Sequence, residues 1–457
     1  MTRTPSPGSR VPVDRVLTGW GRTVATAAHV VPVNSREDVH SAVVSSGSRG
    51  VLARGLGRSY GDAGQSGGGT VLDLSRMSRV TLDVEAATVT AEAGGSLDAL
   101  MRQLIPAGFF VPVTPGTRMV TIGGAVAADV HGKNNHLEGT FGSHVSALTV
   151  VDGQGAVRDL SPADTPREFW ATIGGMGLTG VITQATFDLI PITSAQMLVD
   201  TERYADLDSL MGRMAVSDES YRYSVAWIDS LVSSYRGILM QGDHAPAEAL
   251  SPRLRASPLK YSPRALATAP KRLPGFLLNR VTMQTFNEVW FRKAPKSARG
   301  QIQSIPAFFH PLDAVNEWSR IYGRRGFVQY QFAIPDSGSD VIRRSLDHLR
   351  MAGIPTFLTL LKRFGDANPA PLSFPRPGWT LATDIPADSP GLGAALDELD
   401  DMVLREGGRF YLAKDSRMSA ATAEASYPRL REWRQTRDDM DPKGVFVSDL
   451  SRRLELC

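Results

Sequence analysis

The run Arg54-Gly-Leu-Gly-Arg-Ser-Tyr-Gly-Asp62, together with Pro115-Gly-Thr-Arg-Met-Val-Thr-Ile-Gly-Gly-Ala-Val-Ala-Ala-Asp-Val-His-Gly-Lys-Asn134, decides how this chain is read. Each run follows an apolar stretch readable as a strand, and the two hold seven glycines at close, irregular spacing. Without a Cβ, glycine reaches positive φ and lets N–H groups approach a ligand. Converging N–H groups favour an anion, usually a phosphate or diphosphate, so the pattern points to a dinucleotide. Two common phosphate motifs fail the count. A G-x-G-x-x-G fingerprint needs its third glycine one place before Gly61, and Gly64, Gly67, Gly68 and Gly69 break the helix that should follow. A Walker A loop needs glycine at Ala127 and Ser or Thr at Asn134.

Around these loops the chain alternates short strands and helices. Ser35-Arg-Glu-Asp38 reads as a capping box opening a helix, and Ser96 caps another over Leu97 to Leu104. Val51 to Ala53 and Val71 to Leu74 read as buried strands, Val80 to Ala93 as a hairpin about Ala86-Ala87, and Leu148 to Leu160 as a hairpin turning at Asp152-Gly153. Leu178 to Ile190 reads as one strand ended by Pro191. This mixed order predicts an α+β fold rather than a doubly wound parallel sheet. Beyond Pro191, helical segments near Asp206 to Met214 and Val341 to Met351 alternate with strands near Ser224 to Ile228, Phe327 to Ile334 and Phe357 to Leu361. The expected division is a cofactor domain over 1–192, an inserted α+β substrate domain over 193–406, and a segment over 407–457 that completes the first.

With 457 residues, 42% of them hydrophobic, the chain can bury two cores. Its single cysteine, Cys457, excludes internal disulfides, and no histidine spacing is better than His131 and His136, so no metal is expected. Met1 to Arg15 lacks an apolar signal core and no run has transmembrane length, which suggests a soluble protein without a Sec-type signal. The net charge of +3 hides an asymmetry. Residues 251–300 hold eleven Lys or Arg against one acid, Glu288, so the remainder is acidic. Six prolines and the apolar Leu273, Phe276, Leu277 and Leu278 punctuate this block. Two readings stay open, a solvated linker or a surface for an anionic bilayer, where each basic residue contributes roughly 1 kcal/mol. Nucleic acid is not expected, because no aromatic interleaving or recognition element accompanies the charge.

The two loops resemble those of the vanillyl-alcohol oxidase and p-cresol methylhydroxylase superfamily of FAD proteins. A third element, Gly174-Gly-Met-Gly-Leu-Thr-Gly-Val-Ile182, follows in that superfamily's order. Further runs narrow the resemblance: Leu17-Thr-Gly-Trp-Gly-Arg22, His131-Gly-Lys-Asn134, Gln329-Tyr-Gln331, Pro371-Leu-Ser-Phe-Pro375, Ala413-Lys-Asp-Ser-Arg417 and Ser448-Asp-Leu-Ser-Arg-Arg-Leu454. These are similar to the decaprenylphosphoryl-β-D-ribose 2′-oxidase family. The resemblance covers the chain from about Leu17 to the C-terminus. It implies a two-part FAD domain with an inserted cap, and oxidation of the 2′-hydroxyl of polyprenylphosphoryl-β-D-ribose to a ketone. That is the first half of an epimerisation that supplies the arabinose donor of cell-wall arabinan. It also implies an NAD(P)H-dependent keto-reductase partner and a peripheral place at the plasma membrane, the cytoplasmic side favoured over the periplasmic. The rival reading is an FAD oxidase of a soluble polyol or aldonolactone.

By the same resemblance, FAD is held by Ala53, Arg54, Gly55, Leu56, Gly57, Arg58, Ser59, Tyr60, Gly61 and Asp62 of the first loop. From the second come Gly116, Thr117, Thr121, Ile122, Gly123, Gly124, Ala128, Asp129, Val130, His131 and Gly132, with Gly177, Ile182, Tyr411 and Lys414 beyond. Lys414 is the first catalytic candidate, either as a cation beside the flavin or, with a lowered pKa, as the acceptor of the hydroxyl proton. Tyr60 and His131 are the others. Lys133, Trp227, Gln329, Gln331, Lys362, Thr380 and Ala382 are expected at the substrate, the lysines facing its phosphodiester and Trp227 packing the wall. Arg58 stands where relatives with covalent flavin often carry histidine, so FAD is expected to bind non-covalently. Three positions depart from the mycobacterial pattern: Ala382 replaces a cysteine, Thr380 an asparagine and Phe309 a tyrosine.

Overall fold

Strand order follows from where apolar residues alternate and where glycines release the chain. The computed structural model describes residues 13–270 and 280–457. The apolar Leu273, Phe276, Leu277 and Leu278, and residues 1–12, lie outside the described residues. A four-stranded sheet takes the order Val13–Thr18, Ala25–Pro32, Thr70–Asp73, Val51–Arg54, the last three parallel. A five-stranded antiparallel sheet takes the order Val80–Asp83, Thr88–Glu92, Val181–Asp188, Val145–Val151, Val157–Leu160. One apolar core, including Val39, Leu72, Leu100, Val150 and Phe187, joins these sheets to the helices Arg36–Val44 and Leu97–Leu104.

An eight-stranded antiparallel sheet follows, running Ser297–Ser304, Gln196–Tyr204, Gly237–His244, Tyr223–Ile228, Thr359–Phe364, Gly378–Pro386, Phe327–Ile334, Arg409–Phe410. Its strand Phe327–Ile334, next to the short edge strand Arg409–Phe410, is buried at every residue. One face packs Phe332, Leu381 and Leu361 under the helices Leu207–Ser217, Asp340–Met351 and Leu392–Arg405. The other face turns towards the glycine loops.

Local expectations needed adjustment in four places. Ser35 accepts the Asp38 N–H at 3.2 Å, but the Asp38 carboxylate takes the Asn34 N–H at 2.8 Å, so the box is not reciprocal. The strand expected over Leu178 to Ile190 breaks after Asp188, and Ile190–Pro191 pairs instead with Phe109–Phe110. The strand expected from Phe357 runs Thr359–Phe364, because the Phe357 N–H is spent on the Asp384 carbonyl. The Pro-rich basic block is no uniform loop. It contains the fourteen-residue helix Arg280–Lys293, and it ends in the edge strand Ser297–Ser304.

Candidate active site

Between the two glycine loops and the open face of the large sheet lies a cavity of about 380 Å³, a size typical of ligand sites. The first loop leaves strand Val51–Arg54 and turns at Gly57, where φ is +62°. The Arg54 guanidinium fills the space a Cβ on Gly57 would take, and donates to the Gly64 and Thr18 carbonyls. A Cβ on Gly55 would lie 2.1 Å from Thr121 Oγ1, so the two loops pack with no room for a side chain. Thr121 in turn caps the helix Ile122–Ala127. The third glycine element closes that helix, its Gly174 and Met176 N–H groups donating to Val126 and Ala127 carbonyls.

The C-terminal segment locks the first loop from outside. Tyr60 N–H donates to the Ala413 carbonyl at 2.9 Å, and a Cβ on Gly61 would come within 2.0 Å of the Asp415 carbonyl. Arg453 bridges Asp62 at 2.7 Å and Asp415 at 2.8 Å, and these charges hold its pKa above the ordinary guanidinium value although burial opposes it. This places Lys414 Nζ 3.7 Å over the Tyr60 ring. Burial, then the charge of Lys362, lowers the Lys414 amine to about 7, while Asp384 opposes the shift.

The sheet supplies the opposite wall by its pleat. Trp227, Leu360, Ala382 and Gln331 lie in one cross-strand row, and Lys362 pairs with Thr380 beside it. Lys362 Nζ stands 3.3 Å from His131 Nδ1, and the Gln331 amide nitrogen 3.0 Å from His131 Nε2. Burial and the charges of Lys362 and Lys414 push His131 well below the ordinary imidazole range, so it is neutral. Lys362 is itself lowered by burial to about 8, and Lys133 by burial and Lys362 to about 7.

Residues 27–161 match a family described as the FAD binding domain, and residues 387–454 match D-arabinono-1,4-lactone oxidase. Along 96% of its length the chain is 42% identical to decaprenylphosphoryl-β-D-ribose oxidase of Mycolicibacterium smegmatis, covering 97% of that protein. The chain belongs to the decaprenylphosphoryl-β-D-ribose oxidase family. An uncharacterized protein in the mprA 5′ region of Streptomyces coelicolor is 39% identical over 79% of this chain and 100% of its own length. L-gulono-1,4-lactone dehydrogenase of Mycobacterium tuberculosis is 24% identical over 96% of this chain and 99% of its own. Members of this family are FAD-dependent oxidoreductases, and the FAD domain with its separate cap sheet is of the vanillyl-alcohol oxidase and p-cresol methylhydroxylase type.

The cavity fits FAD as the family requires. Gly55, Leu56, Gly57, Arg58 and Ser59 line it, and among the described residues their N–H groups donate to no protein acceptor. A row of free donors beside glycines is the chemistry a diphosphate needs. Arg58 lies 4.0 Å over Trp20 and donates to the Met119 carbonyl at 3.0 Å. It offers no nucleophile, in keeping with non-covalent FAD.

The three catalytic candidates Lys414, Tyr60 and His131 all line this cavity, as do Gln329, Gln331, Lys362 and Ala382. Several expected contacts do not. Asp62 is tied to Arg453, Gly61 faces Asp415, and Ile122 and Gly123 pack towards the core at Gly95 and Ala93. Asp129, at φ 41°, turns its carboxylate away to Gly142 N–H, Asn368 and Ser373. Gly132 abuts Asn134, Ile182 is a buried strand residue, and of the third element only Met176, not Gly177, reaches the wall. Lys133 donates to the Phe308 carbonyl and sits over that ring, Trp227 is buried in its row, and Thr380 donates to the Phe332 carbonyl. Phe309 is buried against Tyr223. The sequence pattern does not single out Trp20, Trp318 or Asp384, although Trp20 stands in the quoted run Leu17 to Arg22.

Proposed function

We propose that this enzyme oxidises the 2′-hydroxyl of a polyprenylphosphoryl-β-D-ribose to the 2′-ketone, the first half of an epimerisation. FAD, when bound, would supply the acceptor for the hydride leaving C2′, and the hydroxyl proton passes to water in the open cavity. The observation that carries the reading is the gathering of Lys414 and Lys362 in one cavity with the glycine loops. Lys414 places positive charge where negative charge develops as electrons leave the sugar. Lys362, with Lys133 behind it, offers the cations that a phosphodiester needs. His131, neutral and held by Lys362 and Gln331, orients the ribose rather than taking its proton. The ketone then requires hydride from elsewhere, so an NAD(P)H-dependent reductase is the partner proposed for the second half.

A lipid substrate calls for a membrane surface. Among the described residues no helix is long and apolar enough to cross a membrane. On the helix Arg280–Lys293, Phe286, Val289 and Trp290 are 55%, 60% and 43% exposed along one side, with Arg292 and Lys293 at its end. Exposed aromatic residues among basic ones suit peripheral binding to an anionic bilayer.

Anaerobic mixing with polyprenylphosphoryl ribose tests the reaction: the flavin's visible absorbance bleaches. A second reading has its own support, since residues 387–454 match a lactone oxidase family. Oxygen consumption with a soluble aldonolactone, and no bleaching by the ribose lipid, would establish that reading instead.

A further inference from the structure

Lys414 lines the cavity, and Asp384 lies behind it at the lining residue Gln329, the two charges making no ion pair. Asp384, on the strand Gly378–Pro386, is fully buried. Its Oδ1 accepts the Gln329 amide at 2.6 Å and its Oδ2 the Tyr322 hydroxyl at 3.2 Å. Both donors are neutral, and a buried carboxylate with only neutral donors is costly to ionise. Lys414 shows the converse. Among the described residues its ammonium makes no hydrogen bond or ion pair, and it lies over the face of Tyr60.

We propose that Asp384 is the counter-ion of Lys414, a positioning residue that keeps the ammonium charged from across Gln329 and Tyr60. The other charged or titratable groups around the pair do not substitute for it. Arg58 on the first loop and Lys362 on the strand Thr359–Phe364 are cations, so they oppose a charged Lys414. Tyr60 and Tyr322 are pushed upwards by burial and by Asp384 itself, and stay neutral, as does His131. On the cavity roof, Asp313 is bound by Arg118 and Thr117, and Glu317 pairs with Arg320, while Asp415, next to Lys414, and Asp62 are both taken by Arg453. Asp384 is then the buried anion left to balance Lys414. The directions of titration agree: burial raises the carboxyl of Asp384 while Lys414 draws it down, and Asp384 draws the amine of Lys414 up.

This deepens the role given to Lys414 above, and its test does not depend on the substrate. The holoenzyme is acetylated by trace acetic anhydride across a pH series, and the reactivity of Lys414 is followed by peptide mass spectrometry. In Asp384→Asn the midpoint falls by about one unit, the Lys414-dependent limb of the kcat/KM profile moves with it, and Asp384→Glu restores both. An unchanged midpoint in a variant that retains FAD overturns the pairing. Should Asp384→Asn fail to retain FAD, Tyr322→Phe removes one donor from the carboxylate and moves the midpoint the same way by less; no movement there overturns it equally. A shifted midpoint in an enzyme inert towards the ribose lipid would remove the substrate reading and leave the ion pair standing.

Discussion

Lys414→Met removes the cavity charge while keeping most of the side-chain volume. A unit charge about 4 Å from developing charge, at an effective dielectric constant of about 20, is worth roughly 4 kcal/mol. At about 1.4 kcal/mol per decade that is near a thousandfold, and water in the open cavity brings the expectation to about a hundred- to thousandfold. The sign of the pH dependence follows from the shifted amine. Its pKa is lowered from 10.5 to about 7, so the charged form prevails below that value and is lost above it. One unit above the midpoint only about a tenth of the molecules keep the charge. Flavin bleaching, followed by anaerobic stopped flow at saturating substrate, therefore slows as pH rises from about 6 to about 8. The profile is flat and low in Lys414→Met, and flat but higher in Lys414→Arg, whose charge persists throughout. A rate that climbs with pH across this window would show the amine acting as a base. A loss below tenfold in Lys414→Met would refute the electrostatic role.

Gly61→Ala drives a Cβ to within 2.0 Å of the Asp415 carbonyl, so the loop must part from the C-terminal segment; the flavin-to-protein ratio falls and the melting temperature drops, by an equivalent of about 1–3 kcal/mol. Asp441→Ala leaves the Val445 and Phe446 N–H groups and the buried Arg437 without their carboxylate, and urea denaturation shows a loss of about 3–5 kcal/mol. Thiol-directed nitroaromatic inhibitors form no adduct at position 382 in the native enzyme, and Ala382→Cys acquires one, visible by intact mass.

What could be read beforehand depended on whether the cause was local. Gly57 was legible because a positive φ selects glycine within its own turn, whereas the close approach that requires Gly61 comes from Asp415, far along the chain. The strand Phe327–Ile334 was legible in full because burial on both faces leaves an unbroken apolar pattern around its two glutamines. Lys414 was identifiable only through resemblance, since nothing beside it in sequence announces a cavity. Asp384 went unnoticed because its partners, Gln329, Tyr322 and Lys414, come from three separate segments. The pairing of Arg453 with Asp62 joins residues 391 positions apart, a distance across which no periodicity speaks. The helix Arg280–Lys293 was obscured by the prolines around it.

The pleat of the large sheet has an evolutionary corollary. Gln329, Gln331, Lys362, Ala382 and Asp384 occupy alternate positions on three neighbouring strands, while the residues between them, such as Tyr330, Phe332, Leu361 and Leu381, belong to the core beneath. A point substitution on the upper set redraws the floor of the cavity without removing a core side chain. Chemical selectivity and the folding of the cap are thereby written in interleaved, separable alphabets. The replacement at 382 falls in the first alphabet, where a lineage can change the molecule it recognises and keep the same fold.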